Sequence, residues 1–140
     1  MPQLILIVDD DEKSRRLACD VLNHHGFRAL PAGSGEEALE LARPLPPALV
    51  LLDIQLPGLS GYETIGKLRE LHPDRRLRVL AMTASVTSAD QGRITGAGFD
   101  GFVAKPIVRV SELVRTVRAA LALDAPVVPD ASAAPAAPAP

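Results

Sequence analysis

The residues best equipped for chemistry in this sequence are acidic, and they fall in two places. Asp9, Asp10, Asp11 and Glu12 are consecutive, and Asp53 follows about forty residues later. Each group directly trails an apolar, strand-like run, Leu4 to Val8 in the first case and Ala48 to Leu52 in the second. Parallel strands of an open α/β sheet present functional groups at their carboxyl ends, so two such strands side by side would bring these carboxylates into one small volume. Like charges that close repel and raise one another's pKa unless a cation neutralises them. A hard ion with oxygen ligands suits such a cluster, and Mg²⁺ is the usual one where phosphoryl chemistry follows. The pattern predicts a magnesium-dependent phosphoryl site.

Holding such a site requires strands and helices in alternation, and residues 1–123 carry both signals in turn. Strands are predicted at 4–8, near Ala29 after a Gly26-Phe27 turn, at 48–52, at 78–82 and at 102–104. Apolar stripes at helical spacing lie between and after them: Leu17, Ala18, Val21 and Leu22; Ala38, Leu39 and Ala42; Ile65, Leu68 and Leu71; Leu113, Val114, Val117 and Leu121. Ser34 is a predicted N-cap, with Glu36 and Glu37 in the first turn behind it, and Ser111 is expected to cap the last helix. A further helix, roughly Ser88 to Ala97, contains Gly92 and Gly96. Each glycine costs about 1 kcal/mol against alanine in a helix interior, so this helix is predicted to be the least protected one and the main moving part. The first and third strands are apolar without alternation, as in a parallel sheet covered on both faces. The expected architecture is (βα)₅.

Composition narrows the function classes. The 140 residues carry 15 Lys and Arg against 17 Asp and Glu, a formal net charge of -2. That balance supplies no basic stripe, so direct nucleic-acid binding is not expected. Cys19 is the single cysteine, cannot form an internal disulfide, and reads as a small apolar helix residue. No run reaches the roughly 18 apolar residues of a membrane span, and no signal-peptide order opens the chain. No membrane association and a cytoplasmic location are expected. His24, His25 and His72 lack spaced partners that would suggest a metal site, and read as structural or solvated. From Asp124 to Pro140 the chain is almost wholly Ala, Pro and small residues, which predicts a disordered tail, 124–140, beyond a folded domain of residues 1–123.

Four elements together resemble the receiver (CheY-like) domains of two-component response regulators. They are Ile7-Val8-Asp9-Asp10-Asp11, then Leu51-Leu52-Asp53-Ile54-Gln55-Leu56-Pro57-Gly58-Leu59-Ser60-Gly61, then Met82-Thr83-Ala84, then Phe102-Val103-Ala104-Lys105-Pro106. None is specific alone, but each lies at a predicted strand end in the family's order and spacing, and the resemblance covers residues 3–122. It implies a flavodoxin-like, doubly wound α/β sandwich whose parallel five-stranded sheet has the order 2-1-3-4-5. It implies that Asp53 is the phosphoacceptor, and that Asp10, Asp53 and the backbone carbonyl of Gln55 bind Mg²⁺ directly while Asp9 acts through water. Lys105 would meet the phosphoryl group as a point charge, and the Thr83 hydroxyl would donate to it. A cis peptide before Pro106 would aim Lys105, and Gly58 and Gly61 would shape the acceptor loop. Thr83 and Phe102 would form the switch, the Thr83 loop closing on the phosphoryl group as the aromatic ring turns inward; Phe102 takes that position without a tyrosine hydroxyl. Gln55 and Ser85 stand two residues beyond Asp53 and Thr83, where family side chains govern hydrolytic water, and neither is an acid. Three consecutive aspartates leave a one-residue slip open, with Asp10 and Asp11 as the metal pair, although the family register favours Asp9 and Asp10.

The function implied is that of a single-domain response regulator, since the sequence ends before any output domain. It would accept a phosphoryl group from a sensor histidine kinase or phosphotransfer protein and switch contacts with a downstream protein. The Asp53 loop and the stretch from Met82 to Val86 resemble regulators of the DivK type. By the same resemblance, helix one and the face made by helix four, strand five and helix five would dock partners. The alternative is a phosphorelay intermediate, or the receiver of a hybrid kinase, passing its phosphoryl group to a histidine phosphotransfer protein. A haloacid-dehalogenase-type phosphatase would need a second aspartate two residues after the nucleophile, where Gln55 stands. A flavin module of this fold would need a small, hydroxyl-rich phosphate cradle after strand one, where Asp9 to Glu12 would repel an unneutralised phosphate.

Overall fold

A computed structural model describes residues 3–73, 77–84, 87–107 and 109–122. Among them strands and helices alternate: β1 (Leu4–Val8), α1 (Glu12–His24), β2 (Arg28–Ala32), α2 (Gly35–Ala42), β3 (Leu49–Asp53), α3 (Gly61–Leu71), β4 (Arg78–Thr83), α4 (Ser88–Gly96), β5 (Gly101–Ala104) and α5 (Val110–Leu121). All pairings are parallel and the order is β2-β1-β3-β4-β5, as expected. The order reverses between β1 and β3, so the connections leaving their carboxyl ends part to opposite sides and open a crevice there.

The period-two geometry of a strand divides its side chains between two cores. Ile5 and Ile7, Leu49 and Leu51, and Leu80 and Met82 face α1 and α5. Leu6 and Val8, Val50 and Leu52, and Val79 and Ala81 face α2, α3 and α4. A strand buried on both faces must be apolar throughout, which accounts for the unbroken hydrophobic runs of β1 and β3. β2 lies at the sheet edge, where Pro31, paired with Ile7, is tolerated because one side of the strand has no ladder to supply.

The helix ends follow local chemistry. Ser34 accepts from the Glu37 amide, and Ser60 forms a reciprocal capping box with Glu63. The Ser111 expectation is corrected: α5 begins one residue earlier, its N-cap is Arg109, and no side chain caps it. Leu17 also departs from its expected place in the α1 stripe, being 39% exposed while Ala18, Val21 and Leu22 are buried. Cys19 packs in the core, as read. His25 Nδ1 lies 2.8 Å from the Val21 carbonyl and His72 Nε2 lies 2.7 Å from that of Ala42, so both rings serve carbonyls near helix ends. No described helix is long and apolar enough to cross a membrane. Ser85 and the Ala/Pro-rich segment 124–140 lie outside the described residues.

Candidate functional site

The carboxyl ends of β1, β3 and β5 deliver three side chains to one point. Asp9 follows β1 directly, Asp53 is the last residue of β3, and Lys105 follows β5. Asp9 is fully buried and Asp53 is 4% exposed. The Lys105 ammonium donates to Asp53 Oδ2 at 2.9 Å and to Asp9 Oδ1 at 3.3 Å. Its nitrogen also lies 3.1 Å from Asp9 Oδ2, but the hydrogen bond is directed to Oδ1, and the buried Oδ2 accepts none. The other oxygen of Asp53 accepts from the Gln55 amide at 2.9 Å. Asp9 Oδ1 likewise accepts from the Asp11 amide at 2.9 Å.

Asp10 completes the cluster. Each of Asp9, Asp10 and Asp53 offers a carboxylate oxygen within 4.8 Å of the others. Asp11 turns away: it is the N-cap of α1, and its side chain accepts from the Ser14 amide at 3.0 Å. The helix start therefore separates the three consecutive aspartates, two going to the cluster and one to the cap. Asp9 and Asp53 share one ammonium, Asp10 adds a third carboxylate that makes no ion pair among the described residues, and the buried Asp9 Oδ2, 3.1 Å from that ammonium, accepts no hydrogen bond. That donor set fits a small divalent cation with oxygen ligands.

The electrostatics reflect one cation shared among several anions. Burial pushes the Asp53 carboxyl above its ordinary value; hydrogen bonds from Lys105 and the Gln55 amide and the Lys105 charge oppose this, and the Asp9 charge adds to it. For Lys105, burial pulls downward most strongly of any single influence. The hydrogen bonds and charges of Asp53 and Asp9 together outweigh it, so the ammonium titrates above its ordinary value. The two shifts have different causes: for Asp53 burial outweighs what Lys105 and the Gln55 amide supply, and for Lys105 the two acid partners together outweigh burial.

The remaining residues frame this cluster. Thr83 is buried at the end of β4, and its carbonyl accepts from the Lys105 amide at 2.9 Å. It also borders a cleft of about 490 Å³ with Gln55, Tyr62, Asp90 and Arg93, between the acceptor loop and α4. Phe102 is half-buried against the core that holds Ile94 and Phe99. The Lys105–Pro106 bond is cis. Gly58 has φ +77, a conformation glycine adopts freely, and a Cβ on Gly61 would lie 2.6 Å from both the Asp53 carbonyl oxygen and Ile54 Cα. The sequence reading missed Arg15, whose guanidinium donates to the Asp9 carbonyl at 2.8 Å. The available signal was a cation near the start of a helix, an end that favours acids.

In sequence and in fold the chain is similar to known proteins. The response regulator receiver domain family matches residues 5–118. The polar-differentiation response regulator DivK of Brucella anthropi is 36% identical over 121 residues, covering 86% of this chain and 98% of that protein. DivK of Brucella ovis shows the same identity and coverage. Among solved structures, a CheY-like response regulator receiver domain protein from Methanospirillum hungatei superposes with a TM-score of 0.76 at 26% identity, covering 86% of this chain and 94% of that one. The Vibrio cholerae chemotaxis protein CheY4 gives a TM-score of 0.80 at 22% identity over 86% of this chain and 99% of its own, and establishes likeness of fold.

Proposed function

This chain belongs to the response regulator receiver domain family, and from that premise we propose that Asp53 accepts a phosphoryl group from a histidine donor and that the modified domain regulates a protein partner. The observation that carries the reading is the buried Asp53 carboxylate held by Lys105 at 2.9 Å beside the Asp9 and Asp10 carboxylates. An Asp53 oxygen attacks phosphorus as the phosphorus–nitrogen bond of a phosphohistidine breaks. The electron pair leaves with the imidazole, and the phosphoryl group is held as an acyl phosphate. Asp9, Asp10 and Asp53, with the backbone carbonyl of Gln55, would hold Mg²⁺, Asp9 through water. When bound there the ion draws negative charge from the transferring oxygens.

Lys105 supplies a positive charge at the carboxylate that reacts, and Thr83, at the end of β4, would offer its hydroxyl to the phosphoryl group. Gln55 is exposed next to the acceptor, and it carries no acid or base that would speed hydrolysis. A Thr83 movement toward the phosphoryl group would draw on the cleft that separates it from α4, with Phe102 following on β5; the volume of that cleft supports this switch. The domain acts as a regulator rather than a turnover enzyme, with a sensor histidine kinase or phosphotransfer protein upstream in the cytoplasm and a protein target downstream. The likeness to DivK, a response regulator, over 98% of that protein's length supports a regulatory role.

The test is an amide-shift experiment with Mg²⁺ and beryllofluoride or acetyl phosphate, with an Asp53→Asn control. Shifts near Asp53, Thr83, Phe102 and Lys105 that need Mg²⁺ and vanish in the variant are the expected result. A silent response with Mg²⁺ bound would overturn the reading in favour of a binding module that works without phosphorylation.

A further inference from the structure

Arg15 touches the backbone of the carboxylate cluster. Its Nη1 donates to the Asp9 carbonyl at 2.8 Å, and among the described residues it is that oxygen's one hydrogen-bond donor. The carbonyl lies in the planar peptide that joins Asp9 to Asp10, so holding the oxygen holds the Asp10 amide and the axis about which Asp10 departs from the chain. The Asp9 side is already secured: its amide donates to the Ala32 carbonyl at 3.1 Å, and its Oδ1 accepts from the Asp11 amide. Asp10 is different. It is exposed, and its side chain makes no hydrogen bond among the described residues. Its aim therefore depends on the backbone that Arg15 fixes.

The guanidinium does this without occupying the oxygens that a cation needs. It makes no ion pair with a carboxylate among the described residues, in contrast to Lys105, which bonds both Asp9 and Asp53. It also lies along the connection after β2, where a Cβ on Gly33 would be 3.5 Å from Nη1. One side chain of α1 thus braces the corner at the end of β1 and passes close to the one at the end of β2. We propose that Arg15 is a positioning residue of the cation site, orienting Asp10 through the Asp9–Asp10 peptide. This rests on the reading of Asp9, Asp10 and Asp53 as a Mg²⁺ site.

The sign of the effect separates positioning from simple charge. Removing a positive charge close to a cation site should tighten Mg²⁺ binding by electrostatics alone. Loss of a supporting contact should weaken it, by about tenfold for a ligand-orienting partner. The experiment is a Mg²⁺ titration of amide shifts on the full chain without phosphodonor, comparing wild type, Arg15→Met, Arg15→Lys and Arg16→Met, with urea unfolding of each in the absence of Mg²⁺. Arg16 is an exposed neighbour, so its variant removes the same charge without the contact.

Arg15→Met is expected to bind about tenfold more weakly and to exchange the Asp10 amide faster in metal-free protein. Arg15→Lys should recover part of the affinity, and Arg16→Met should bind as well as wild type or better. Equal or tighter binding by a folded Arg15→Met overturns the proposal. If that variant unfolds, the same judgement passes to Arg15→Lys, where wild-type affinity and unchanged Asp10 exchange overturn it. Wild type that fails to bind Mg²⁺ would instead remove the reading on which the proposal rests.

Discussion

Two helices leave the functional end of the sheet and are held very differently. α5 follows Lys105 and buries Leu113, Val114, Val117 and Ala120 against β3, β4 and β5. α4 follows Thr83 and buries only Ile94. It has glycine at 92 and 96, and its outer hold on α3 is the Arg93 guanidinium over the Tyr62 ring at 5.2 Å, with Tyr62 edge-on to Phe99. The difference assigns unlike duties to the two ends. Lys105 is an electrostatic fixture, and the helix that follows it in the chain has a full apolar face. Thr83 leads into a helix whose packing energy is small, and a segment so held can be rearranged by a single new hydrogen bond. The low-stability side is where a phosphoryl group on Asp53 has something to move.

The comparison breaks most directly by core truncation. Leu113 and Ile94 are 1% and 2% exposed, so their burial is equal. Leu113→Ala should cost about 3 kcal/mol of global stability in urea unfolding. Ile94→Ala should cost about 1 kcal/mol globally, because α4 opens before the rest and its loss falls on local opening. Equal costs would mean that α4 belongs to the same cooperative unit as α5. Amide exchange is the companion measurement, and α4 as slow as α5 would contradict the assignment.

A second experiment sharpens the electrostatic half. The Asp53 carboxyl titrates above its ordinary 3.8 in the fold, mainly through burial. The folded state therefore binds this proton more tightly than the unfolded chain. The linked stability is present at low pH and is lost as pH rises from the unfolded value through the raised folded one. Asp53→Asn removes this loss and leaves the ammonium to Asp9. In Mg²⁺-free thermal melts the variant should match or trail wild type at the acid end and exceed it at neutral pH, and Mg²⁺ should close the gap. A variant less stable than wild type at pH 7 would show that the Lys105–Asp53 pair is net stabilising.

The smallest effect concerns the glycines of α4. A Cβ on Gly92 or Gly96 meets nothing within 4 Å. Each alanine should stabilise α4 by up to about 1 kcal/mol and slow its exchange up to about fivefold, while leaving α5 unchanged. If α4 mobility serves the switch, both variants should also respond less to beryllofluoride at the α4 amides.

Most of the scaffold was legible because its signals are local. Strand runs, helical stripes and the Ser34 cap depend on near neighbours in sequence, and they fell where expected within a residue or two. The failures were places where tertiary context overruled local chemistry. Ser111 is a good capping residue, yet α5 starts before it, at Val110. Leu17 fits the α1 stripe, yet it lies beyond the reach of the sheet and stays exposed.

The sequence by itself determined the acid types, the strand-end placement of Asp9 and Asp53, and the alternation that demands a parallel sheet. Those features depend on residue chemistry and on periods of two and 3.6. Only the tertiary structure decided the division of labour among Asp9, Asp10 and Asp11, because a start of α1 at Glu12 commits Asp11 to the cap. It likewise decided that Lys105, 96 residues from Asp9 and 52 from Asp53, would bond both, and that Arg15 would reach the Asp9 carbonyl. Such contacts are made by strand order and helix docking, and no spacing along the chain encodes the distance across a sheet.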